Sequence, residues 1–252
     1  MRRFAGNSGD TISQLLARAL ATDPTRPILT WYDDATGERI ELSGTTLDNW
    51  VAKTANLLVD GAGLGVGDRA AVLLPPHWQT AAVLLGCWAG GLAVGGDDLA
   101  DPDVLFITAD RVNVDQLDVG GERYALGLGP LGAPLTEVPV GFGDYIVEVR
   151  GHGDHFTPYA EIGPSDTAVA GAPGVTHDEL CRQAADRATA LGLRGGDRVL
   201  IDAAAHPEAL DWLLAPLAAN ATVVLCGRLD PARVPARVAD EKITVSLTGL
   251  PG

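Results

Sequence analysis

The chain has 252 residues, 46% of them hydrophobic, which is enough for one large or two modest domains with packed cores and excludes a disordered chain. A formal charge of −15, with Lys53 and Lys242 as the only lysines, creates a field that repels phosphodiester backbones and anionic lipid, so neither nucleic acid nor membrane is expected as a partner. Cys87, Cys181 and Cys226 are widely spaced and odd in number, and read as structural thiols of a reduced interior. The opening "MRRFAGNSGDTISQLL" has no apolar run of the signal-peptide kind, so the cytoplasm is the expected location.

Asp10 or Thr11 can cap a first helix reaching about Ala21, with Ile12, Leu15, Leu16 and Ala19 on one stripe. Ile28 to Tyr32 and Arg39 to Leu42 read as a hairpin around "DDATG", and Ser43 or Thr45 opens a helix to about Asp60. Strand and helix then alternate: strand 69–74, helix 78–89, strands 92–94 and 104–108, a Gly/Pro-rich connection over 118–143, and a short helix 144–150. Beyond a short apolar strand at Thr167 come helix 177–191, strand 198–202, helix 207–218, strand 222–226, helix 231–241 and strand 243–247. Such alternation predicts an α/β fold of largely parallel sheets covered by helices. The most apolar stretch, Thr80 to Val94, is shorter than the roughly 20 residues of a spanning helix and is interrupted by glycine.

The chain also repeats itself. Gly-Asp-Arg at 67–69 recurs at 196–198, and His77 recurs as His206, both at a separation of 129 positions. A repeat of that length implies two similar βαβ-type lobes. The expected boundary lies near Ser165, dividing a first lobe (1–164, with the helix and hairpin) from a second, shorter one (165–252).

Taken together, "TTLDNWVAKTANLLVDGAGLGVGDRAAVLLPPHWQTAAVLLGCWAGGLAVG", "VTHDELCRQAADRATALGLRGGDRVL" and "LLAPLAANATVVLCGRLDPARV" resemble the amino-terminal half of the adenylate-forming superfamily, the acyl-CoA synthetases and their relatives. The resemblance covers nearly the whole chain. "DPDVLFITADR" and the short length narrow it to a group of small actinobacterial proteins related to those synthetases. It implies the fold of the synthetase N-terminal domain, here expected to be truncated. It also implies that the adenine-binding turn, ribose aspartate, magnesium carboxylate and catalytic lysine would belong to later segments that have no counterpart here.

The family's phosphate loop is a Ser/Thr/Gly run followed by Pro-Lys-Gly, placed before a Thr-His pair, because small residues, hydroxyls and one cation together cradle phosphates. The pair corresponds to Thr176-His177, but "VAGAPGV" before it is shorter and holds neither hydroxyl nor lysine. Adenylation by this chain alone is therefore not expected. No cofactor is expected either, ATP and AMP being disfavoured.

The candidate ligand-binding residues are Gly171, Gly174, Thr176, His177, His206 and His77. Gly171 and Gly174 form either a small anion nest or a tight strand-to-helix turn, and the missing cation favours the turn. His177 either orients a ligand or caps its helix. His77 and His206 follow strands where open α/β sheets bind ligands, or else they repeat by descent from one βαβ unit. "GHGDH" (151–155), with His152, Asp154 and His155, is a weak metal suggestion, and Asp97, Asp98, Asp101 and Asp103 read as a solvated acidic loop. The expected function is that of a non-catalytic binding or assembly module, with a homo-oligomer or protein partner covering apolar sheet faces left open. The alternative is an acyl, acyl-CoA or nucleotide site near Gly174, His177 and His206, or half of a split enzyme completed by a partner.

Overall fold

The computed structural model describes residues 9–21, 23–115 and 120–249. Its strands are β1 (Pro27–Asp33), β2 (Glu38–Ser43), β3 (Arg69–Leu73), β4 (Ala93–Gly95), β5 (Val104–Thr108), β6 (Glu122–Leu126), β7 (Gly143–Asp144), β8 (Thr167–Val169), β9 (Val175–Thr176), β10 (Arg198–Asp202), β11 (Thr222–Gly227) and β12 (Val245–Leu247). The helices are α1 (Ile12–Ala21), α2 (Gly44–Asn56), α3 (Trp78–Gly90), α4 (Ala109–Asp115), α5 (Tyr145–Arg150), α6 (His177–Ala190), α7 (Ala215–Ala218) and α8 (Val234–Asp240). One sheet runs β12-β10-β11-β1-β2 and the other β7-β6-β5-β3-β4-β8-β9. All pairs are parallel except the β1–β2 and β8–β9 hairpins.

The sheets do not divide the chain at the boundary expected between 164 and 165. β1 and β2 join β10 to β12, with Leu29 opposite Val223 and Asp33 opposite Gly227, while β8 lies on β4 through Val169 and Val94. β1 is buried along nearly its whole length, so an edge position in a hairpin would leave it half covered; pairing with β11 places it inside a sheet.

Period-two alternation sorts the strand residues between cores. Val199 and Ile201 of β10, Val223 and Leu225 of β11, and Val104 and Phe106 of β5 enter one central core shared by both sheets and helices α1, α2, α3 and α6. Leu200, Val224 and Cys226 turn outward against Val234 and Val238 of α8. Leu73, Leu105 and Ile107 turn outward against Leu99, Val112 and Phe142, in the layer that contains α4. The layer order is thus helix, sheet, helix, sheet, helix. On the outer face of the second sheet, Leu105 and Ile107 are 1% and 0% exposed.

The internal repeat is visible in its turns. Asp68 Oδ2 accepts the Gly65 N–H at 2.8 Å, and Asp197 Oδ2 accepts the Arg194 N–H at 2.7 Å. Gly67 and Gly196, at φ 98° and 88°, provide the left-handed residue each turn needs. The predicted helix 207–218 divides into a π-helical turn, Leu210–Leu214, followed by α7. Pro216 has no N–H to continue an α-helical ladder, and the Ala215 N–H reaches back to the Leu210 carbonyl instead.

Candidate functional site

The turn between β8 and β9 is a compact hairpin end. A Cβ at Gly174 would lie 2.9 Å from Thr167 Cγ2 and 3.0 Å from the Val169 carbonyl oxygen, so glycine is needed there for hairpin closure. Gly171 is exposed at the tip. Thr176 is the N-cap of α6: its Oγ1 accepts the Glu179 N–H at 3.2 Å, and Glu179 Oε2 accepts the Thr176 N–H at 3.0 Å. His177 is fully buried, and its Nδ1 accepts the N–H of Ile12 at the start of α1. It therefore serves a helix other than its own, and burial pushes its pKa down.

His206 sits beside Asp211, its Nδ1 3.0 Å from Oδ2. The same carboxylate takes a fork of bonds from Arg187, at 2.6 and 2.7 Å, which holds Asp211 below the ordinary carboxylate range. Lys53 pairs with Asp154 at 2.9 Å and donates to the His152 carbonyl, so "GHGDH" is a loop clamped to α2. No cluster of three or more His, Cys, Asp or Glu residues suited to a metal occurs among the described residues. In the acidic loop, Asp103 accepts the Arg69 N–H and Asp97 pairs with Arg111.

His77 stands apart from the other candidates because it lines a cleft. A cavity of about 420 Å³ lies where strands of both sheets end at their carboxyl edges: Trp31 and Asp33 of β1, Pro75 to His77 after β3, Leu128 after β6, Ala203 after β10 and Arg228 after β11. This is the edge at which α/β sheets characteristically hold ligands. His77 is 2% exposed, and as N-cap of α3 its Nδ1 accepts the Gln79 N–H at 3.2 Å. Burial lowers its pKa to about 3, so the ring is neutral near pH 7. With Nδ1 accepting, the ring proton sits on Nε2, and that atom has no partner. The Trp31 ring meets His77 edge to face with centroids 4.5 Å apart, and Trp31 Nε1 is also buried and unpartnered. At the cleft's rim, Arg228 Nε donates to Asp33 Oδ1 at 2.9 Å and Nη2 donates to Oδ2. Burial pushes Asp33 up, and the bonds from Arg228 and the Ala35 N–H more than offset that, leaving it below the ordinary range.

Sequence reasoning named His77 but missed Trp31, Asp33 and Arg228. Asp33 was legible only as turn chemistry, and no local pattern joins β1 to a residue almost two hundred positions later. The structure does not gather His77, His177 and His206 into one site: each has a different set of neighbours.

No protein-family model matches the chain. A Mycobacterium tuberculosis protein described as a TIGR03089 family protein is 46% identical over 237 residues, covering 91% of this chain and 95% of that one. Rat mitochondrial acyl-coenzyme A synthetase ACSM2 is 35% identical over 80 residues, 30% of this chain and 14% of that protein. Among solved structures, Brucella canis acyl-CoA synthetase superposes with a TM-score of 0.73 at 19% identity, covering 96% of this chain and 48% of its own. The N-terminal domain of FACL13 from Mycobacterium tuberculosis does so with 0.67 at 17% identity, covering 94% and 62%. The chain thus spans about half to two-thirds of these solved chains, and at such identities the likeness carries the fold alone. No helix of the described residues is long and apolar enough to cross a membrane. The near-complete mutual coverage with the mycobacterial relative makes this chain a member of the TIGR03089 family, with the fold of the N-terminal domain of the acyl-CoA synthetases.

Proposed function

We propose that this protein is a non-adenylating, synthetase-like binding module whose ligand occupies the inter-sheet cleft beside His77. One observation carries the reading: every residue of the turn where the superfamily's phosphate loop would lie is committed to structure or lacks phosphate chemistry. Gly174 closes the hairpin, Thr176 and Glu179 cap α6, His177 holds α1, and Ala170 to Pro173 offer neither hydroxyl nor cation. A triphosphate there would face Asp178 and Glu179, and the nearby cation, Arg182, is already paired with Asp178 at 3.2 Å. Calorimetric titration with magnesium-ATP, then AMP, then a long-chain acyl-CoA tests this. The expected result is no nucleotide heat at millimolar ligand; micromolar ATP binding would overturn the reading.

An assembly role is the second reading, favoured by exposed apolar side chains on one stretch: Leu131 at 77%, Val140 at 100% and Val147 at 54%. Light scattering at micromolar protein is expected to give a mass above the monomer. A monomer mass that is constant across the concentration range sinks the homo-oligomeric form of this reading.

A further inference from the structure

We infer that the cleft beside His77 binds a small, apolar-bodied molecule through a neutral carbonyl oxygen, as in an amide, ketone or ester, in preference to a carboxylate. This rests on the reading of the chain as a binding module, and it adds the chemical class of the ligand.

Unmet hydrogen-bonding capacity is concentrated at this one place. Seven buried side-chain nitrogen or oxygen atoms lack a partner among the described residues, and five of them belong to Trp31, His77, Trp78 and Gln79. Trp31 packs on His77, and the other two follow it in sequence. Native interiors leave few such atoms, because each forgoes a hydrogen bond it had in water. A cluster bordering a cavity is what remains when the partner is a ligand. Two residues of the cluster, Trp31 and His77, line the cavity, and each holds a buried N–H with no partner, so the missing partner is an acceptor.

Charge decides which kind of acceptor. Both donors are neutral groups. The cation on the lining, Arg228, is already paired with Asp33 through Nε and Nη2, and Glu38 adds a second carboxylate to the lining. A ligand carboxylate would be desolvated beside like charges with no unengaged cation lining the cleft, in a molecule of net charge −15. A carbonyl oxygen accepts the same two N–H groups without that penalty. Pro75, Pro76, Leu128 and Ala203 supply apolar walls, and a cavity of about 420 Å³ suits a body of one ring.

The test compares benzamide and acetophenone with benzoate on the full chain, by ligand-detected NMR and calorimetry. Benzamide or acetophenone is expected to bind at millimolar concentration or below, with benzoate at least roughly tenfold weaker. Trp31→Phe keeps the ring and removes the indole N–H. His77→Asn keeps a helix-capping acceptor for the Gln79 N–H and removes the Nε2 proton. Each variant is expected to weaken carbonyl binding roughly tenfold, the cost of one lost buried hydrogen bond. Should a variant fail to fold, the ¹⁵N resonance of His77 Nε2 in the unaltered chain decides, since it must move when benzamide is added. Benzoate binding as tightly as benzamide, carbonyl binding indifferent to both variants, a static Nε2 resonance, or no binding by any of the three overturns the inference. Nucleotide binding, by contrast, would sink the non-adenylating reading and leave the cleft's chemistry standing.

Discussion

His177 Nδ1 accepts the backbone N–H of Ile12 at 3.3 Å, across 165 positions of sequence, and so the histidine that follows the shortened turn fastens α1 to α6. His177→Ala removes that bond and leaves a void in a fully buried place. The expected loss is about 2–4 kcal/mol in urea unfolding. Benzamide affinity at the cleft should be unchanged, because His177 is not among its lining residues. A variant as stable as the parent but altered in ligand binding would reverse the assignment.

Two buried neutral histidines make stability depend on pH in a definite direction. Burial lowers His77 from 6.5 to about 3 and lowers His177 as well. In the unfolded chain both take up protons near pH 6.5, whereas the folded chain resists, so the unfolded state binds more protons below that pH. Stability is therefore fully present above about pH 6.5 and declines as pH falls toward about 3. Urea midpoints measured from neutral pH down to mildly acid pH should show this decline, and His77→Asn should flatten it. An unchanged slope in that variant would mean that His77 titrates normally in the folded protein.

Glu241 ties the hairpin to the second repeat. Its Oε1 accepts from Tyr32 Oη at 2.5 Å and from Arg39 Nη2 at 2.9 Å, and its Oε2 accepts from Arg198. Burial pushes the carboxyl up, but the bonds from Tyr32, Arg198 and Arg39 outweigh it and bring the pKa to about 2. Because the folded value lies below the ordinary 4.5, the network's contribution is present above pH 4.5 and lost as pH falls toward about 2. Glu241→Gln should cost on the order of 1–2 kcal/mol at neutral pH, after discounting for solvent screening. The same variant should remove part of the acid sensitivity between those two values. A neutral-pH stability equal to the parent's would reduce the network to a surface ornament.

Strands β3, β5, β10 and β11 were legible in the sequence because their apolar runs are bounded by turn residues, and the Gly-Asp-Arg repeat announced the paired βαβ units. Helix α4 was missed: "ADRVNVD" is short, polar and without a clear apolar stripe. The exchange of strands across residue 165 was also illegible, since the partners of β1 and β8 are set by burial on both edges and not by any local signal. The same holds for the cleft. "LPPHWQ" places a histidine at a strand end, but only the fold brings Trp31 against it and leaves both rings' N–H groups without acceptors.

Gly227 explains how Trp31 comes to lie in the cleft at all. It is the last residue of β11, opposite Asp33 in the parallel pairing, and a Cβ at this position would collide with the six-membered ring of Trp31, approaching Cζ2 to 2.8 Å. Gly227→Ala must displace the indole or the strand end, and overpacking of that kind costs about 1–3 kcal/mol. A displaced indole changes the position of its N–H relative to the His77 ring, which it meets with centroids 4.5 Å apart. The expected outcome is a folded protein with a lower urea midpoint, a displaced Trp31 indole N–H resonance and no measurable benzamide binding. Trp31→Phe assigns that resonance by removing it. A Gly227→Ala protein that binds benzamide as the parent does would show that the glycine serves strand packing alone, and that the indole's position is not what shapes the cleft.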